Sequence, residues 1–587
     1  MAIVKMSKIQ VIGLLEDKEK VYNFLQNNAY IHMVKTEYGE SKTKVNENKS
    51  EELEKQREEI DKLIQFMDLT LDIKEDLQDK TVKDIYAIKD RKQEIELKIK
   101  DLMVIKDEIN EIRKEIEDKK EKIVTLISNN DEKLSTLKQN KIITFEFEED
   151  CLAKEYIAKL RAEISKEEEN LDSLNNEIKG YENCVVDIKL YRELLAQEIS
   201  KANGDNMILS TENTFIMEFF TPTEKEGIVE EIKKLSPTIV AEKISIGSEE
   251  TVPTLTKNNK LIKQAEVVTN MYSVPSYKER DPNFLVFWFF LIFFGYIMAD
   301  IGIGISLCVI CYTLAHRIKE NNGSKRLWTL VGTGGIFTIF WGIMYNSFFG
   351  FSIFPVTIMP DPQSQTILTL LICLLMGVLH ISCAYFMKGL NAIKSGSVID
   401  AILDGFLWDT FFLGGLMALT KFLLDFFEIG YGEGAFSKIL SAIQIPGLII
   451  LSVSLLIIVV FAGRNTKGIF GKIIKGFSSL YGIVNLMSDI LSYARLFGLM
   501  LSGAIIGQQF DQIGVGLLGK GFLGAILGVI VIIIGNAFNL AMGALGAYIH
   551  DCRLQYIEYF GKFYTGEGTL FTPFKPEYKY IKVNSEN

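Results

Sequence analysis

Two arginines stand where arginine is costly. Arg495 falls near the middle of an apolar stretch, 483–510, where insertion scales charge about 2.5–3.5 kcal/mol for a guanidinium. Asp489 lies six residues earlier, roughly 240° away around a helix, so it is no direct helical neighbour. The face that Arg495 shares is small and apolar: Ser488, Ser492, Leu499, Ser502 and Gly503. Such a face lets another helix approach closely and leaves the guanidinium open to a carboxylate from elsewhere. Arg553 closes the longest apolar run, and at three- and four-residue steps before it come Asn536, Asn539, Gly543, Gly546 and His550. That polar-or-small stripe extends about 25 Å if helical. Alone, it reads as well as interhelical hydrogen bonding plus a cation reaching the membrane boundary. Beside Arg495, it reads as the lining of an aqueous ion path.

Other charged positions are expected to do less. Asp300, Asp400, Asp404 and Asp409 fall at or near the ends of apolar runs, where helix capping is the default. Lys421 and Asp425 form an i,i+4 pair, and His380 is expected to be an interhelical hydrogen-bonding group. No GxxxxGK[ST] phosphate loop, no metal-spaced His/Cys cluster and no GxSxG is present, so no nucleotide hydrolysis, cofactor or metal is expected of this chain. The seven cysteines are odd in number and scattered, against a disulfide framework. Cys308 and Cys311 lie inside an apolar run and read as buried thiols.

The elements that position these residues divide sharply by composition. Residues 1–283 carry 45 Lys and Arg against 59 Asp and Glu, a net charge of −14; residues 284–587 carry 19 against 16, a net of +3. An acidic first half argues against nucleic acid as a partner. Apolar runs begin at Phe284. The first, Phe284–His316, is too long for one crossing of a hydrocarbon core about 30 Å thick, and Asp300-Ile-Gly-Ile-Gly splits it in two. Further spans are expected at 327–350, 365–388, 399–427, 446–463, 483–510 and 521–556, eight in all. With the N-terminus inside, the inner loops collect Arg317, Lys319, Lys325, Arg326, Lys388, Lys394, Arg464, Lys467, Lys472 and Lys475. The outer loops hold only Lys438 and Lys520, as the positive-inside rule requires.

The N-terminal half, 1–283, alternates between α/β and long-helix patterns. Residues 8–15 and 30–36 read as strands around a helix at 17–28. From about Ser50 to Ile127 the pattern is long charged helix, with Ile95, Ile99, Leu102, Ile105, Ile109, Ile112, Ile116 and Ile123 at coiled-coil spacing. A second such stretch runs from Ile157 through Leu160, Ile164, Leu171, Leu174 and Ile178 to Ile188. No proline interrupts 50–200. Ser128-Asn129-Asn130 and a strand-like Ile142–Phe147 link the two, so an antiparallel coiled-coil arm, about 50–200, with a small cap is expected. Residues 207–245 return to α/β character and are expected to rejoin the N-terminal lobe. The N-terminus, with Lys5 and Lys8 among its apolar residues, reads as a cytosolic end and not a signal peptide. The fold class is therefore mostly α: α/β lobes and a long arm, then an eight-helix transmembrane domain, 284–587, with long tilted C-terminal helices and a short tail.

Five segments carry a family resemblance: VPTLTKNNKLIKQAEVVTNMYSVPSYKERDPN (252–283), FGYIMADIG (294–302), FWGIMYNSFFG (340–350), LSYARLFGLMLSGA (491–504) and GALGAYIHDCRLQYIEYFGKFYTGEGTLFTPF (543–574). They resemble the membrane stator subunit of the V/A-type rotary ATPases and ATP synthases, called subunit I or subunit a, the 116 kDa subunit family. The N-terminal half is similar to that family in layout only. The resemblance implies a non-nucleotide-binding subunit that forms two ion half-channels against a rotating proteolipid ring of carboxylate-bearing (c/K) subunits. It implies that Arg495 displaces the ion from each ring carboxylate, and that Arg553 is the family's second arginine. His550, Asn539, Asn536, Ser492 and Asp489 are further candidates for the ion path. The arm is implied to hold peripheral stalk subunits of the E/G type. The implied setting is a bacterial plasma membrane, crossed many times, with the arm and C-terminus cytoplasmic and protons or sodium as the coupling ion. Where eukaryotic members carry a His after the first arginine and a Glu before the second, this chain has Gly503 and Gly543, so those half-channel roles do not transfer. The alternative is a secondary transporter with a regulatory coiled coil.

Overall fold

A computed structural model describes residues 3–28, 30–36, 47–71, 82–137, 153–247, 250–318, 323–353, 355, 357–427, 435–464 and 469–581. The chain is mostly helical and divides into two compact units. One comprises Met6–Ser248 with Thr572–Asn587, the other Met1–Lys5 with Glu249–Phe571. Residues 249–283, assigned by composition to the N-terminal half, thus pack with the apolar helices.

The first unit is built on an antiparallel sheet of β1 (Met6–Leu14), β2 (His32–Val34), β3 (Leu209–Ser210), β4 (Thr214–Pro222) and β5 (Val240–Ile244), ordered β2-β4-β1-β5 with β3 also on β4. The central pairing runs from Met6 opposite Pro222 to Leu14 opposite Thr214. Ile9, Val11, Phe215, Met217 and Phe219 bury one face against α1 (Lys18–Asn27), and Lys8 pairs with Glu218 at 2.7 Å. The return of 207–245 to the N-terminal lobe is therefore present as β4 and β5.

Helices α2 (Glu47–Leu71), α3 (Val82–Lys89), α4 (Lys92–Leu137), α5 (Ala153–Lys179) and α6 (Val185–Asp205) follow, with α7 (Ile228–Leu235) on the sheet. The continuous helix expected from Ser50 to Ile127 is interrupted at Asp90-Arg91, between α3 and α4, while residues 72–81 between α2 and α3 lie outside the described residues. Ile60, Leu63, Ile64 and Met67 of α2 share one core with Ile85 and Ile88 of α3, Ile95 and Ile99 of α4, and Ile188 and Leu195 of α6. The lack of proline permits one long helix, but burying those side chains together requires the chain to turn. The second stretch likewise stops at Lys179, before a short turn at Gly180-Tyr181. Beyond that core α4 and α5 run side by side and antiparallel. Ile105 and Ile109 meet Ile178, while Ile116 and Ile123 meet Leu160 and Ile164. Lys120 and Glu168 close the flank at 2.9 Å. The strand-like Ile142–Phe147 lies outside the described residues. The C-terminal segment returns to this unit: Phe574 enters the sheet core and the Lys579 and Tyr580 amides donate to Glu193 Oε1 at 3.0 and 2.8 Å.

The second unit opens with β6 (Pro253–Thr254) and α8 (Glu266–Tyr272). Its apolar helices are α9 (Asn283–Met298), α10 (Ile301–Arg317), α11 (Gly323–Tyr345), α12 (Thr366–Lys394), the short α13 (Val398–Asp400), α14 (Leu407–Phe426), α15 (Ala435–Phe461), α16 (Ile469–Leu491), α17 (Ala494–Leu518) and α18 (Gly521–Arg553). A π-helical stretch, Ala401–Phe406, joins α13 to α14, and a second, Leu554–Phe560, carries α18 on into α19 (Gly561–Phe563). β7 (Thr569–Leu570) then pairs in parallel with β6. Among the described residues, six helical segments are long and apolar enough to cross a membrane. The two made by the expected split at Asp300 are shorter, at 16 and 17 residues. Asp300 does cap α10, its Oδ1 accepting from Ile303 N at 3.0 Å. It also accepts from Ser347 Oγ and the amides of Phe349 and Gly350, tying the α9–α10 break to the end of α11.

One span differs in kind. The single helix expected over 483–510 is the junction of two, α16 and α17, broken at Ser492-Tyr493. There the backbone bonds tighten to three-residue steps, Tyr493 N to Ile490 O at 3.1 Å and Arg495 N to Ser492 O at 3.2 Å. The Ser492 hydroxyl donates back to Ser488 O at 3.1 Å, a contact that bends helices. Tyr493 is fully buried against Gly377 of α12. Arg495 therefore sits in the first turn of a new helix, not in the middle of an old one.

Candidate functional site

The break aims Arg495 at the end of the long C-terminal helix. Its Nη1 lies 3.9 Å from Glu558 Oε1, with the arginine side chain 22% exposed and the glutamate 3%. Glu558 belongs to the π-helical stretch after α18, a geometry that re-aims side chains by widening the turn. The sequence reading expected a carboxylate from outside this chain and missed Glu558. A readable signal existed, because Asp551, Gln555, Glu558 and Lys562 follow one another at four-, three- and four-residue steps, a stripe on one helix face. Lys562 takes Asp489 as its partner, so Asp489 is not engaged with Arg495.

Behind this pair lies a buried polar cluster. His380 Nδ1 and the Tyr493 hydroxyl are 2.8 Å apart, and the His380 ring stacks on Tyr559 at 4.5 Å. Asp551, Gln555 and Glu558 are each almost wholly buried. Both Asp551 oxygens, both Gln555 side-chain polar atoms and Glu558 Oε2 lack a hydrogen-bond partner among the described residues.

The stripe of α18 splits along its length. Asn536 Nδ2 donates to Asp511 Oδ1 at 2.8 Å, and Asn539 Nδ2 donates to Gly503 O at 3.2 Å. Both asparagines therefore join α18 to α17. Small residues make this approach possible: a side chain at Gly514 or Gly535 would strike Ile532 or Phe510. Further along, His550 is half-buried with Nδ1 unpartnered, and Arg553 is exposed. His550, Arg495 and Arg553 are near enough to act on one another electrostatically. Ser492 is half-exposed beside Arg495.

A cavity of about 390 Å³ runs between α17, α18, the α9–α10 break and the loop after α11. At one end are Asp361, Gln363 and Gln508, with the two glutamines joined at 2.8 Å. At the other are Leu499 and Gly546, one helical turn from Arg495 and His550 respectively. Asn539 and Ser502 line it between. The arrangement can hold a hydrated ion or proton carrier against one wall and deliver it close to a guanidinium. No group of three or more His, Cys, Asp or Glu side chains that could hold a metal occurs among the described residues.

Residues 205–357, which include the α9–α10 break and its Asp300 hub, match the model of the V-type ATPase 116 kDa subunit family. The chain resembles that family over this segment. It is similar to the A-type ATP synthase subunit I of Pyrococcus horikoshii, 29% identical over 435 residues, covering 71% of this chain and 62% of the relative. The subunit I of Methanocaldococcus jannaschii is 26% identical over 513 residues, with 79% and 70% covered. The V-type ATP synthase subunit I of Chlamydia pneumoniae is 24% identical over 470 residues, 69% of each chain. The match spans less than two thirds of the length of the Pyrococcus relatives. Together with this resemblance, six helical segments among the described residues that are long and apolar enough to cross a membrane support a membrane location.

Proposed function

We propose that the chain is the stator subunit of the membrane sector of a V/A-type rotary ATPase or ATP synthase, without nucleotide chemistry of its own. The observation that carries this reading is the position of Arg495, one turn beyond Leu499 at the edge of a cavity whose lining includes Asp361, Gln363, Gln508, Ser502 and Asn539. Ile549 and Ile557, flanking Arg553, are 52% and 57% exposed, a surface suited to a proteolipid ring. A ring carboxylate passing there must be either ion-bound or paired with arginine, because a bare charge in that medium costs several kcal/mol or more. Arg495 displaces the ion, and the cavity supplies one of the two offset half-channels.

The other parts fit the same machine. The paired helices α4 and α5 would serve as the arm that grips E/G-type peripheral stalks and resists torque. Residues 572–580 pack with the N-terminal sheet and helices, which supports an even number of membrane crossings, in keeping with an eight-span topology with a cytoplasmic arm and C-terminus. The test replaces Arg495 with Lys or Ala and measures ATP-driven ion transport in the assembled complex. Loss of coupled transport with assembly intact is expected. Unchanged pumping would refute the stator reading and favour a transporter acting as a single chain.

A further inference from the structure

We infer that Glu558 is a positioning residue for Arg495: a resident counter-charge that holds the guanidinium between visits of the ring carboxylate and competes with that carboxylate for it. This rests on the stator reading of Arg495. The geometry is that of a tether and not a closed pair. The Nη1–Oε1 separation is 3.9 Å, and neither Arg495 Nη1 nor Glu558 Oε2 has a hydrogen-bond partner among the described residues. A bidentate pair would use up two donors of the guanidinium fork; here the fork keeps its donors free for a second carboxylate. The two ends are also unequally accessible, since the carboxylate is 3% exposed and the arginine 22%. Glu558 therefore cannot follow a moving partner, while Arg495 faces outward from it.

Glu558 is held in place by its surroundings. It lies in the π-helical stretch between α18 and α19, with Ser492 against it and with Lys562, one turn on, fastened to Asp489 of α16. The charged and titratable groups that face the pair are Arg553 and His550 from α18, Asp489 and Lys562, and Tyr493 with its partner His380. Apart from Glu558, the groups nearest Arg495 are Arg553 and His550, neither of them an acceptor of charge. Without Glu558 the guanidinium has no neighbouring anion among the described residues and holds the ring carboxylate more tightly. An ion loading onto the ring must then displace a stronger competitor.

The experiment makes Glu558→Gln and Glu558→Asp in the full complex and checks assembly by co-purification of ring and ATPase subunits. ATP-driven transport is then measured against the concentration of the coupling ion. For Glu558→Gln the half-saturating ion concentration is expected to rise about three- to tenfold, with a lower maximal rate, the scale of losing one partly buried ion pair. Glu558→Asp, whose carboxylate is drawn back by one methylene, is expected to shift the same way by less. A purely structural role would lower the maximal rate and leave half-saturation in place. Half-saturation unchanged in an assembled Glu558→Gln complex overturns the inference. If Glu558→Gln does not assemble, Glu558→Asp decides: a shift supports the tether, and wild-type half-saturation or failed assembly overturns it. Normal pumping by the Arg495 variants would instead remove the stator reading, which is a separate result.

Discussion

Gly377→Ala tests whether packing behind Arg495 sets its position. A methyl group built on Gly377 would sit 2.5 Å from Tyr493 Cγ and 3.0 Å from its Cβ, against a comfortable carbon–carbon separation of about 3.5–4.0 Å. The atoms in conflict are at the root of the tyrosine and not at a flexible tip, so the ring and its backbone must move by roughly 1 Å. Tyr493 is fully buried, bonded to His380 and two residues before Arg495. Overpacking of this kind costs about 1–3 kcal/mol, and misplacing a functional group by about 1 Å can cost roughly a hundredfold in rate. The variant is therefore expected to assemble with a lowered unfolding midpoint and to lose tenfold or more of ATP-driven transport (about 1.4 kcal/mol per factor of ten). Gly482→Ala in α16, where an added methyl meets nothing within 4 Å, is the control. It is expected to leave transport unchanged and to stabilise by up to about 1 kcal/mol through helix propensity. Wild-type stability and transport in Gly377→Ala would refute the argument that Tyr493 fixes the start of α17.

Two further outcomes follow from the same contacts. Asn536→Ala removes the donor that Asp511 uses at 2.8 Å; with Asp511 only 1% exposed, the α17–α18 pairing should weaken by about 1–3 kcal/mol, read as a lower thermal midpoint of the complex. In the other unit, burial raises the Glu193 carboxyl above its ordinary value of 4.5, although Arg192 and the Lys579 and Tyr580 amides favour its charge. The folded state thus holds a proton that the unfolded state releases first, so stability falls as pH rises from about the unperturbed value through the raised one. Glu193→Gln keeps an acceptor for the amides and should flatten that dependence, measured by amide exchange at Lys579 and Tyr580. An equally steep pH profile in the variant would contradict it.

What could be read from residue order was what depends on short spacing. The cap at Asp300 and the strands β1 and β4 rest on composition or on neighbours within a few positions, and each is present. The break at Ser492-Tyr493 was not legible, because neither residue is a glycine or proline. It arises from a serine bonding back to the helix and from a tyrosine that fills space left by Gly377, more than 100 residues away. The turn that separates α3 from α4 is of the same kind. Nothing local forbids a continuous helix there, and only the common burial of Ile60, Ile85, Ile95 and Ile188 demands the fold-back. Glu558 was legible in spacing yet overlooked, since its stripe begins among the apolar residues of a span and continues past the span's end.

The long C-terminal helix can be understood as carrying two polar faces with different duties. On the face running from Asn536 to Arg553, the first two polar side chains bind α17, so they set the distance between the helices. The later positions change character: Gly546 lines the cavity with open space around it, and Arg553 is exposed. That face is therefore structural at one end and open at the other. The opposite face, from Asp551 to Lys562, turns inward and holds the carboxylate nearest Arg495 together with the lysine that fastens Asp489. A guanidinium at a helix start is positioned by what packs behind it and by what charge stands beside it. Here α12 supplies the packing through Gly377 and His380, and the inward face of the last helix supplies the charge. Held from both sides, Arg495 has the fixed position that the proposed stator reading asks of an ion-displacing group.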